Sequence, residues 1–85
     1  MNKEIQSIRE WLVTYKDAVK QMLLPYKFQR DEALAMNPHY SDDIDNQYVQ
    51  VLKDSLVEII VKYLTVEREN ALIAVEEVDV KEFMK

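Results

Sequence analysis

The sequence predicts an all-α protein, an antiparallel helical hairpin or small helical bundle with two long helices and a shorter C-terminal one. Three observations carry this. Apolar residues recur at gaps of three and four in both halves of the chain. Its 85 residues include no glycine, which the tight two-residue turns of β-hairpins usually require. Only two prolines interrupt the pattern. The length suits one domain spanning residues 1–85.

The first helix is read over about residues 3–36. Ile5, Ile8, Leu12, Tyr15, Val19, Met22 and Tyr26 lie on one stripe, widened by Trp11 and Leu23. Pro25 lacks an N–H and crowds the Gln21 carbonyl, so a kink or short break is expected there. Helix continues beyond it, because Tyr26, Gln29, Ala33 and Met36 keep the rhythm. Asn37 precedes Pro38 and is driven from the α region, which ends the helix. The segment from Asn37 to Asp43 then reads as a loop ending in candidate N-caps.

The second helix is read over about residues 43–64, with Asp43 and Asp45 near its positive end. Val49, Leu52, Leu56, Ile59, Tyr63 and Val66 repeat the same spacing. Val57, Ile60, Val61 and Leu64 widen the apolar arc beyond the ~100° that covers one neighbour, so this helix should lie between two. Six β-branched residues between positions 57 and 66 leave a rival reading, strands at 57–66 and 72–80. The missing turn glycine and the sustained heptad favour helix. Past Leu64, either Thr65 caps a third helix or the second one continues; Asp79 and Glu82 have the spacing of a capping box.

Composition narrows the function. With no cysteine there is no disulfide framework, thiolate zinc site or thiol nucleophile, and phosphate-cradling loops need the glycine this chain lacks. No apolar run is long enough to span a bilayer, and the first residues do not resemble an export signal; a cytoplasmic protein is expected. His39, the single histidine, supplies one ligand where a zinc site needs three or four, so no metal or cofactor is expected. Glu76-x-x-Asp79 resembles half of the carboxylate signature of MazG-type nucleotide pyrophosphatases, but the partner Glu-x-x-Glu pair is missing and no enzyme is expected.

Charge is uneven. The formal net charge of −5 divides into +3 over residues 1–30, −6 over 31–58 and −2 over 59–85. Arg9, Lys16, Lys20 and Lys27 share a helix flank, yet four cations on an acidic chain make direct nucleic-acid binding an unfavoured reading. Aromatic residues at helical spacing belong to the core, and Tyr15, Tyr26 and Tyr63 are assigned there. Trp11 and Phe28, at the margin of their stripe, are interface candidates. So are Leu56, Val57, Ile59, Ile60 and Leu64 on the wide second arc. Asn70 falls on the second seam, either as a register-setting polar residue or as a helix-end residue.

The expected function is a non-enzymatic protein–protein interaction module, self-associating as a homodimer or binding another protein through apolar helix faces. A second reading takes Asp42, Asp43 and Asp45 as the acidic patch of a small inhibitor that fills the basic groove of a nucleic-acid-handling protein.

Overall fold

A computed structural model describes residues 2–85, which are helical almost throughout and contain no strand. Helix α1 spans Lys3–Thr14, α2 Lys16–Met36, α3 Ser41–Leu64, α4 Arg68–Glu76 and α5 Val80–Phe83. A 3-10 turn, Pro38–Tyr40, joins α2 to α3. The rival strand reading fails: residues 57–64 and 72–76 are helical.

The Asn2 side chain starts α1 by accepting from the backbone N–H groups of Glu4 and Ile5, at 2.9 and 3.2 Å. Helix α1 then stops at Tyr15, whose φ of −108° and ψ of 26° leave the helical region, and α2 begins at once. The interruption expected at Pro25 therefore falls at Tyr15, while α2 runs through Pro25 without a break. Val13, Thr14 and Tyr15 are consecutive weak helix formers, which makes this the point of least resistance. Pro25 and Gln21 both face solvent, so the carbonyl that proline leaves without a donor is open to water.

Asn37 ends α2 as expected, with its N–H on the Ala33 carbonyl at 2.9 Å. The residue capping α3 is Tyr40, which offers no side-chain cap; Asp42 and Asp43 sit in the first turn instead and interact with the helix dipole. Thr65 caps no third helix and does not continue the second. It closes α3 in the left-handed conformation at φ 51°, its N–H on the Val61 carbonyl. Asp79 does cap α5, accepting from the Glu82 N–H at 3.2 Å.

Helix α3 is the axis of the fold. It packs against α2 on one flank and against α4 and α5 on the other, while α1 lies on α4. Its Leu52, Leu56 and Ile60 are fully buried among Ile8, Leu23, Ala71 and Ala74. The two alanines let α4 approach closely. No polar or charged residue among those described is buried. The core also takes Val80, Phe83 and Met84, so the chain's last turn is packed and not frayed. No helix is long and apolar enough to cross a membrane. The molecule is elongated, 43 × 21 × 19 Å.

The tyrosine assignment needs correction. Tyr15 and Tyr63 are more than half exposed and Tyr26 is half-buried; the buried tyrosine is Tyr48. The buried stripe runs through Ile8, Leu12, Val19 and Leu23 at gaps of four, seven and four, one face on both sides of the break; Tyr15 sits at the break itself, and Met22 and Tyr26 lie on the margin of the stripe.

Candidate interaction face

Helices α1, α4 and α5 cover only one side of the α2/α3 hairpin. On the other side a groove runs between the two long helices, formed by two clefts that meet at Tyr26. The cleft nearer the 3-10 turn, about 210 Å³, is lined by Gln29, Ala33, Ile44, Gln47 and Val51, with Arg30 and Tyr48 beneath. The other, about 360 Å³, lies between Met22 on α2 and Ser55 and Ile59 on α3, with Asp54 and Glu58 at its edge. Helical geometry explains the lining. Met22, Tyr26, Gln29 and Ala33 succeed one another at gaps of four, three and four, and Val51, Ser55 and Ile59 at four, so each set forms one flank.

The charged side chains of this groove lie toward its ends, Asp54 and Glu58 at one and Arg30 at the other. The middle of the groove offers Gln29, Ala33, Gln47, Val51 and Ser55 to solvent, and Met22 and Val51 are about two-fifths exposed. Further out on α2, Phe28 is 60% and Met36 73% exposed.

Arg30 anchors the groove floor. Its guanidinium stacks 4.6 Å from the Tyr48 ring centroid and pairs with Asp31 at 2.8 Å and Asp45 at 3.3 Å. Burial lowers its proton affinity, but Asp31 and Asp45 outweigh that and hold it above its ordinary value. Burial, with Asp31 and Asp45, pushes the Tyr48 hydroxyl up, against the pull of Arg30. That hydroxyl is enclosed and has no hydrogen-bond partner.

The residues expected at an interface separate into two groups. Leu56, Val57 and Ile60 are buried by the chain's own helices, because α2 covers one flank of α3 and α4 and α5 the other. Ile59 and Leu64 are half-buried against the same core, and Ile59 also lines the groove. Trp11 is half-buried beside Tyr15, ring centroids 5.8 Å apart, whereas Phe28 projects into solvent. The acidic patch is divided as well. Asp42 and Asp43 are exposed in the first turn of α3, but Asp45 is held by Arg30 and, at 3.8 Å, by Lys81.

Two further features lie away from this groove. Glu4 accepts from the backbone N–H of Glu67 at 2.8 Å and from the Asn70 side chain at 3.0 Å, which together hold its carboxyl below the usual range; the Asn70 bond is the larger cause. Asn70 thus tethers the start of α4 to α1 instead of setting register in a seam. A third cleft, about 580 Å³, opens between α1 and α5 over Leu12, Val13, Val78 and Phe83, its rim bridged by the Arg9–Glu77 ion pair. His39 is exposed in the 3-10 turn, and the described residues contain no group of three or more metal-ligating side chains.

The groove residues Gln29, Ala33, Val51 and Ser55 escaped the sequence reading as a site. The available signal was a stripe that keeps its period after Pro25 while losing hydrophobicity, from Val19 and Leu23 to Gln29 and Ala33. Compared with known proteins, the chain matches no family model, no curated protein and no solved structure.

Proposed function

We propose that this chain is a non-enzymatic helical interaction module of the cytoplasm that self-associates through an apolar helix face. The observation that carries the reading is the one-sided cover of the α2/α3 hairpin: a groove running from Met22 and Ile59 to Ala33 and Ile44, uncharged in its middle, has no described element of the chain over it. The apolar part of its lining, Met22, Tyr26, Val51 and Ile59, gains roughly 25 cal/mol for each Å² removed from water, and a helical neighbour would bury it. The alternative, an acidic inhibitor, draws support only from Asp42 and Asp43, since Asp45 already has two cationic partners.

Solution mass tests the reading. Light scattering at micromolar concentration should give twice the 10.1 kDa subunit mass, and raising the salt should not dissociate the pair. A fully helical monomer would contradict self-association. Association that disappears with salt and with Asp42→Asn/Asp43→Asn would favour the acidic reading.

A further inference from the structure

We infer that residues 77–85 form a latch that lifts from the helical core and reseats as one unit while α1 to α4 stay folded, and that lifting it exposes apolar surface along α1 and α4. The inference goes beyond self-association and does not depend on it.

The bonding of the segment argues for separate movement. Helix α5 is a single turn of four residues. Among the described residues, the backbone-to-backbone hydrogen bonds of this segment run only within it or back to Ala74 and Val75 at the end of α4. The cap that starts α5, Asp79 on the Glu82 N–H, is internal too. Polar ties to the other helices lie at the surface: Arg9 with Glu77, Lys81 with Asp45 at 3.8 Å, and Lys20 donating to the Lys85 carbonyl at 2.6 Å. Ties of this exposure are weak and screened by salt. What seats the segment is the burial of Val80, Phe83 and Met84, opposed by the chain entropy of ordering all of it.

The seat is also loosely filled. Helix α5 packs against α3, but a cleft of about 580 Å³ separates it from α1, with Val78 and Phe83 on one side and Leu12 and Val13 on the other. Close-packed interiors leave few such gaps. Lifting α5 removes Phe83 from this cleft and opens Leu12 and Ala74, which line it and are buried in the closed form. The latch thereby sets how much apolar surface this side of the molecule presents.

The chain has no cysteine, so single introduced thiols report the opening. Val80→Cys and Met84→Cys place one on the latch and Ala71→Cys places one on α4, all at buried positions. A thiol reagent should label the two latch positions at similar rates, at least about 100-fold faster than Ala71→Cys, and urea below the unfolding transition should raise only the Ala71→Cys rate. Because a thiol at Ala71 enlarges a packed site, amide hydrogen exchange of the unsubstituted chain repeats the comparison. The Phe83 and Met84 N–H groups, bonded to the Asp79 and Val80 carbonyls, should exchange at least about 100-fold more readily than that of Leu56, again without urea dependence. Rates that rise together with urea at all positions would overturn the latch, since the segment would then leave only when the whole fold does. Fast labelling of Met84→Cys with Val80→Cys as slow as Ala71→Cys would overturn it as well, showing a frayed last turn instead of a unit.

Discussion

At Tyr48 a buried ring carries a hydroxyl without a hydrogen-bond partner. An unsatisfied buried polar group costs about 1–3 kcal/mol, and phenylalanine would keep both the packing and the stacked Arg30. Tyr48→Phe is therefore predicted to leave stability unchanged or to raise it by up to ~2 kcal/mol in urea unfolding; a clear loss would mean that the hydroxyl has a partner. Glu4 presents the opposite case, an exposed carboxylate used in full. Its folded-state pKa lies below 4.5, so its contribution is complete above that pH and is lost as the pH falls through the lowered folded value. Glu4→Gln should lower the unfolding midpoint near neutral pH, and the difference from wild type should shrink as the pH falls through the lowered folded value. A difference that stays equal from neutral to acid pH would show that charge is not what Glu4 contributes.

Each helix end was decided by local chemistry that the sequence exposes to different degrees. Asn37 before Pro38, and Asp79 with Glu82, are signals within a few residues, and both ends appear where those signals place them. The start of α4 was not legible, because its N-terminal partner is Glu4, more than sixty positions away. Nor was the break at Tyr15: the run from Val13 to Tyr15 is weak helix, but the packing of α1 against α4 is a long-range contact that no local signal announces. Thr65 closes α3 at φ 51°, a conformation that disfavours a β-branched residue. Thr65→Gly is predicted to raise the thermal midpoint, a gain of order 1 kcal/mol, and a fall would show that the Thr65 hydroxyl bond to the Leu64 carbonyl matters more than the backbone strain.

For the whole molecule, periodicity revealed two amphipathic helices and a wide arc on the second. It did not reveal which parts of those arcs the chain would cover itself. Leu56 and Ile60 face inward because α4 and α5 supply the neighbours that a bare hairpin would have lacked, and α4 spans only nine residues of modest amphipathicity. What stays uncovered is the groove side, where Met22 and Val51 are partly exposed and Tyr26 is half-buried. Substitutions on the two sides of α3 should consequently fail in different ways. Leu56→Asp places a charge where exposure is 0% and is expected to abolish folding, seen as loss of helicity. Val51→Glu is expected to leave helicity intact and to act on subunit number alone.

Sedimentation equilibrium of the wild-type chain beside Val51→Glu is the most direct measurement of whether the uncovered groove holds a second subunit. A wild-type mass of two chains with a monomeric, equally helical variant is the predicted result. Equal masses for the two proteins, whether one chain or two, would contradict it.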